Sequence, residues 1–180
     1  MLVTNILLAQ SSIRDEESDN QVSEQTKAQV KGFRGIEIGM SIDEVKSALL
    51  NDSYFNYHGD PDVYFLPKKE QSLIECSGNS YIKRAFFQFY DKKLFIMIIV
   101  LDPLKIDYYT LFTALKEKYG NFLLFSPEFV KWEGNDIRLS LEKPLWVKYV
   151  DIDVFEKLKQ EGKAQEKAEG ITLDEFIKDF

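Results

Sequence analysis

Residues 35–49, Gly35-Ile36-Glu37-Ile38-Gly39-Met40-Ser41-Ile42-Asp43-Glu44-Val45-Lys46-Ser47-Ala48-Leu49, decide the fold class. Ser41 and Glu44 form an S-x-x-E pair, in which each side chain can satisfy an amide donor left open at a helix start. Behind that pair, Ile42, Val45 and Leu49 share one face of a short helix. A strand punctuated by glycines and entering such a helix, with hairpin patterns after it, predicts a small α+β module. The stretch holds no nucleophile or catalytic base. It describes a scaffold.

Downstream, the clearest pattern is a hairpin. Tyr81, Lys83, Ala85, Phe87 and Phe89 alternate with Ile82, Arg84, Phe86, Gln88 and Tyr90, and Asp91-Lys92-Lys93 supplies the turn. Leu94 to Leu101 is apolar at every position. A strand that is apolar on both sides must be covered on both, which places it centrally in the sheet and against a helix. The shorter runs Tyr54–Tyr57, Val63–Leu66 and Ser72–Cys76 are strand candidates, with His58-Gly59-Asp60-Pro61 and Ser77-Gly78-Asn79 as turns.

The pattern then restarts. Asp107 caps a stripe of Tyr108, Leu111, Phe112, Leu115 and Tyr119, and Gly120 suits the left-handed position after a helix. Strand candidates follow at Phe122–Phe125, Phe129–Trp132, Ile137–Leu141 and Leu145–Tyr149, with Glu133-Gly134-Asn135-Asp136 and Glu142-Lys143-Pro144 as turns. Asp153 and Glu156 read as a second capping pair for a helix over Val154–Gln160. The expected architecture is α+β: an antiparallel sheet with helices packed on one face, in two tandem helix–hairpin units at 35–102 and 106–150.

Around this body, at 32–160, lie two segments of different character. Residues 1–31 combine an apolar run, Leu2–Ala9, with a polar Ser/Gln/Asp/Glu spacer that reads as disordered. The run resembles the end of a secretory leader with Ala9 at its border, although no basic residue precedes it. A lipid-anchored leader would need Cys where Gln10 stands. Residues 161–180 form a charged linker and a short amphipathic helix, in which Leu173, Phe176, Ile177 and Phe180 share one stripe behind a Thr172/Glu175 capping pair. A peptide with that stripe docks in a groove, on its own domain or on a partner.

The motif G-x-x-x-G-M-S-x-x-E-V-x-x-x-L at Gly35–Leu49 resembles the helix-opening motif of the SmpA/OmlA family of small outer-membrane assembly lipoproteins. The doubled helix–sheet order is similar to the β-lactamase-inhibitor-like fold. The chain departs from the family in lacking the lipid-attachment Cys and in being longer. The resemblance implies a periplasmic envelope protein that binds other proteins and catalyses nothing.

The residue inventory agrees with a binding role. Hydrophobic residues make up 44% of the 180, led by 14 Phe and 9 Tyr, which suffices for a core. The formal net charge is −7 with no Lys/Arg run, and a phosphate-tracking surface needs clustered positive charge, so nucleic acid is excluded as a partner. No apolar stretch reaches the roughly 20 residues of a membrane-spanning helix. Cys76 is the single cysteine and His58 the single histidine.

No glycine-rich phosphate loop occurs. His58 with Asp60 and Asp62 reads as a polar turn before it reads as a metal site, so no catalytic residue, metal or cofactor is expected. Trp132 and Trp146 lie on neighbouring strands, and Trp146 is opposite in parity to Leu145 and Val147. The two tryptophans, with Leu173, Phe176, Ile177 and Phe180, are the candidate partner-binding residues. The leading reading is a non-enzymatic protein-interaction module in envelope assembly. A cytoplasmic adaptor or inhibitor is the alternative, and a small hydrolase built on His58 comes third.

Overall fold

The computed structural model describes residues 28–59, 62–65 and 70–160. The deciding stretch forms a two-stranded ribbon, β1 (Gly32–Phe33) and β2 (Ile36–Glu37), followed by helix α1 (Ile42–Leu50). Arg34 and Gly35 turn the ribbon with φ of 52° and 77°, and Gly39 follows at 91°. Glycine adopts that left-handed region without strain, which explains the glycine spacing of the motif. Both arms of the capping pair are made: Ser41 Oγ accepts from the Glu44 amide at 3.3 Å, and Glu44 Oε2 accepts from the Ser41 amide at 2.7 Å. The bonds that the Ser41 amide and hydroxyl donate to it hold the Glu44 carboxyl below its ordinary range.

The remaining strands are β3 (Phe55–Asn56), β4 (Val63–Phe65), β5 (Gln71–Gly78), β6 (Ile82–Tyr90), β7 (Lys93–Leu101), β8 (Leu124–Phe125), β9 (Phe129–Gly134), β10 (Ile137–Glu142) and β11 (Trp146–Asp151). They make one nine-stranded sheet in the order β3-β5-β6-β7-β11-β10-β9-β8, with β4 also on β5. Every pairing is antiparallel. The β6–β7 hairpin closes through Asp91 and Lys92 at φ 48° and 61°, the turn geometry that matches strand twist. β7 is central, as its composition requires: β6 and β11 flank it, and Ile96, Met97, Ile98 and Ile99 are buried.

Alternation divides the core in two. Ala85, Phe87, Phe89, Met97, Ile99, Leu101, Val147 and Tyr149 face one side of the sheet, where Val45 and Leu49 of α1 join them. So do Leu115 and Tyr119 of helix α2 (Tyr108–Tyr119). Asp107 caps α2 through the Thr110 amide at 2.9 Å, and the Gly120 amide closes its other end on the Lys116 carbonyl at 2.8 Å. Phe86, Phe95, Ile96, Ile98 and Val150 face the other side and pack with Phe155 and Leu158 of helix α3 (Ile152–Gln160).

Val45, Leu49, Leu115 and Tyr119 of α1 and α2 thus share the first core, while Phe155 and Leu158 of α3 belong to the second. β7 is apolar on both sides, and one layer of helices covers only one of them. α3 also starts earlier than expected. The Asp151 carboxylate, at the end of β11, accepts from the Val154 amide at 2.9 Å, so strand passes straight into helix and Asp153 is not the cap. Val30, ahead of the expected start of the body at Gly32, is buried in the first core, because the chain enters the fold alongside Gly134.

Candidate protein-interaction surface

An aromatic chain leads from the core to the surface at the β8 edge. At its base lies Trp132 of β9, buried, with its indole N–H donating to the Gly120 carbonyl at 3.0 Å. Phe112 of α2 stands 6.3 Å from the Trp132 ring and 6.1 Å from Phe122. Phe122 meets Trp132 edge-on at 6.5 Å and reaches Phe125 at 5.7 Å. The outer end of this chain is open to water. Phe122, Leu123, Leu124 and Phe125 are 36%, 66%, 48% and 61% exposed, and Tyr109, one turn before Phe112 on α2, is 74% exposed. Four consecutive exposed apolar side chains on a rigid base are unusual for a protein surface that meets only water.

β8 ends the sheet, so β9 is its neighbour on one side, and among the described residues no strand lies on the other. Leu124 pairs with Lys131 and Phe125 with Val130. The Leu123 amide donates to the Lys131 carbonyl at 2.7 Å. The Ser126 amide donates to the Phe129 carbonyl at 2.8 Å, so by the alternation of an antiparallel ladder the amide and carbonyl of Phe125 point away from β9 while those of Leu124 face it. The surface thus offers main-chain hydrogen-bonding groups framed by apolar side chains. Among the described residues, the exposed side chains of Phe122 to Phe125 carry no acid, base or nucleophile.

A second concavity, of about 140 Å³, lies on the α3 side of the sheet between Phe129, Lys131, Arg138, Ser140, Lys148 and Phe155. Its charges are answered within it. Lys148 meets Glu142 at 3.2 Å, Ser140 donates to the same carboxylate at 2.6 Å, and Arg138 meets Glu133 at 2.8 Å. The Lys131 ammonium rests 4.5 Å from the centre of the Phe129 ring.

The residues singled out from sequence separate. Trp132 is a core residue that underlies the exposed edge without reaching it. Trp146 is half-buried on the opposite face, where it packs against the α3 cluster, in keeping with its parity. Leu173, Phe176, Ile177 and Phe180 lie outside the described residues. The His58 amide donates to Asp62 Oδ2 at 2.8 Å and its Nδ1 is 3.5 Å from that oxygen, while Asp60 lies outside the described residues. Cys76 is buried among apolar neighbours, and that burial pushes its thiol up to about 12, far from a reactive thiolate.

Sequence reasoning marked Phe122–Phe125 as a strand and missed it as a surface. Two signals were available: a run of four is too short to cross a sheet, and Ser126-Pro127 stops it at once. Proline is confined to edges and strand ends, so the pair marks a boundary.

The TP0088 domain family model matches residues 31–161, well over half of the chain, and the chain belongs to that family. No curated protein and no solved structure matches it.

Proposed function

We propose that this member of the TP0088 domain family is a non-enzymatic protein-interaction module whose β8 edge takes an extended apolar segment of a partner protein as an added strand. The carrying observation is the exposed quartet Phe122–Phe125 on a strand with one open side. Strand addition draws affinity from main-chain hydrogen bonds and selectivity from alternate side chains. Here the partner's apolar side chains would meet Phe122, Phe125 and Tyr109.

The expected doubling of a helix–hairpin unit belongs to the same proposal. Its support is the strand order, which runs from the early end of each half inward: β3, β5, β6, β7 from one edge and β8, β9, β10, β11 from the other. The two halves meet at β7 and β11, and each is preceded by a helix on the same face. The setting we propose is the cell envelope, after export. Its supports are the leader-like run Leu2–Ala9 and the helix-opening motif at Gly35–Leu49. N-terminal sequencing after cell fractionation checks it: a start near Gln10 in the periplasm agrees, and an intact Met1 in the cytosol favours the adaptor reading.

Binding itself is tested with a set of eight-residue peptides whose apolar side chains alternate. They should bind the protein, lose binding to a Leu124→Lys variant, and lose it again when a central residue is replaced by proline. Proline removes one main-chain donor and leaves the apolar content nearly unchanged. Binding that survives proline would show that the edge is not extended by a strand.

A further inference from the structure

We propose that the concavity beside α3 binds a small aromatic monocarboxylate, a ligand of one ring and one negative charge. It is a separate site from the β8 edge and stands whether or not that edge takes a strand. Cross-strand register builds it. Ser140 of β10 stands between Lys131 of β9 and Lys148 of β11, Glu142 pairs with Phe129, and Arg138 pairs with Val150. Ser140, Lys148, Val150 and Phe155 are buried and make the floor. Phe129, Lys131, Arg138 and Glu142 are partly exposed and make the rim.

In a chain of net charge −7, this lining holds three cations and one carboxylate. The carboxylate does not repel an anion, because both its oxygens are engaged: Ser140 donates to Oε1 at 2.6 Å and the buried Lys148 to Oε2 at 3.2 Å. Arg138 gives its Nε–H to Glu133 at 2.8 Å, which leaves the two terminal nitrogens of the guanidinium for a ligand. Lys131 makes no ion pair among the described residues, and its ammonium is answered only by the Phe129 ring, 4.5 Å away. Lys131 and Arg138 are diagonal neighbours across β9 and β10. That spacing, about 7–8 Å, lets two long side chains meet on one carboxylate.

Size and polarity set the ligand. The volume of about 140 Å³ is close to the roughly 150 Å³ of an apolar cavity that takes benzene. A ring there would meet Phe129, Val150 and Phe155, while the rim cations take the charge. One cation outside any ion pair suits a monoanion, and a phosphate dianion would leave a charge uncompensated. The same chemistry is carried by a free acid and by a polypeptide that ends in an aromatic residue.

Benzoate titrated into the full chain, followed through amide chemical shifts, tests this. Shifts should concentrate at Lys131, Ser140, Lys148 and Phe155, with a Kd on the order of 1 mM. Lys131→Gln should weaken binding about tenfold, as loss of a charged hydrogen bond does, and Lys131→Arg should retain it. Lys92→Gln, in the β6–β7 turn, makes the same charge change elsewhere and should leave binding unaltered. Benzamide keeps the ring without the charge and should bind about tenfold more weakly. A tripeptide ending in phenylalanine, set against its C-terminal amide, identifies the source. Tighter binding than benzoate, lost on amidation, assigns the carboxylate to a chain end, and weaker binding assigns it to a free acid. The site is overturned by equal binding of benzoate and benzamide, by equal weakening in Lys92→Gln, or by no shift at about 10 mM benzoate. Shifts confined to Phe122–Phe125 overturn it as well, and would make the acid a ligand of the β8 edge.

Discussion

Two apolar runs in this chain meet opposite fates. Leu94–Leu101 becomes β7, with a hydrogen-bonded neighbour on each side, α1 and α2 packed over one face and α3 over the other. Phe122–Phe125 becomes β8 and its approach, with a neighbour on one side and its side chains in water. Hydropathy alone does not distinguish them. Neighbours do: β7 is long enough to span the sheet and arrives between two strands, whereas β8 is stopped by Ser126-Pro127 at the margin. Stability should therefore reside in the first run and recognition in the second, and substitutions can separate the two.

The largest effect is expected at Ile99, which is buried in β7 under the α1/α2 layer. Ile99→Ala should cost about 2–5 kcal/mol, the loss of buried methyl groups plus the cavity left behind. Chemical denaturation measures it. A loss below about 1 kcal/mol would mean that the centre of the sheet is no better packed than a surface, and the contrast with β8 would collapse.

Next comes Trp132, where the two regions join. Trp132→Phe keeps most of the ring and removes the indole donor from the buried Gly120 carbonyl. An unsatisfied buried acceptor costs about 1–3 kcal/mol. Because Phe112 and Phe122 both contact this ring, near-ultraviolet circular dichroism should change in parallel. An unchanged stability would show that the exposed edge is not anchored through Trp132.

These contrasts also mark what sequence could reveal. The capping pair at Ser41/Glu44, the Asp107 cap, the Asp91-Lys92 turn and the central place of Leu94–Leu101 were legible, because each depends on neighbours within a few residues or on an unbroken apolar pattern. The side of the sheet taken by α3 was not. Its stripe of Phe155 and Leu158 says that one face is buried but not against which layer, and only the route from Asp151 decides that. The interaction surface was obscured for a related reason. Tryptophans draw attention, yet Trp132 is enclosed by α2 and the Gly120 turn, contacts that are distant in no simple periodic pattern. Exposure of Phe125 depends on there being no neighbouring strand among the described residues, and a missing neighbour leaves no mark in local sequence except the Ser126-Pro127 stop.

A smaller effect is expected where the opening motif meets the end of α1. Arg34 grips Asp52 with both nitrogens, at 2.6 and 2.9 Å, and lies 3.9 Å over the Tyr54 ring. The Arg34 hydrogen bond, first among the causes, holds the Asp52 carboxyl below its usual range. A depressed carboxyl stabilises the fold above the unfolded value of about 3.9, and that contribution is lost as pH falls through the folded value. Asp52→Asn should therefore lower stability at neutral pH by roughly 0.5–1 kcal/mol, and by progressively less as pH falls below the unfolded value of about 3.9. An equal loss at neutral and at acid pH would assign the effect to geometry rather than to charge. The pair is remote from β8, and peptide binding there should not respond.

The smallest effect on stability, and the most informative, belongs to Leu124. Its side chain is about half in water and its main-chain pairing with β9 does not depend on the side chain, so Leu124→Lys removes little buried surface and breaks no pairing within the fold. Unfolding free energy should change by no more than about 0.5 kcal/mol, as for other exposed positions. Binding of extended apolar peptides should nevertheless fall sharply, because an edge lysine places a charge where the added strand must lie, a device by which sheets discourage such pairing. Measured together, denaturation and peptide titration set Leu124 against Ile99. One should move binding and spare the fold, and the other should move the fold. If Leu124→Lys instead destabilised the protein as Ile99→Ala does, the quartet would be part of the core. The division between a covered centre and an open edge would then be wrong at its most exposed point.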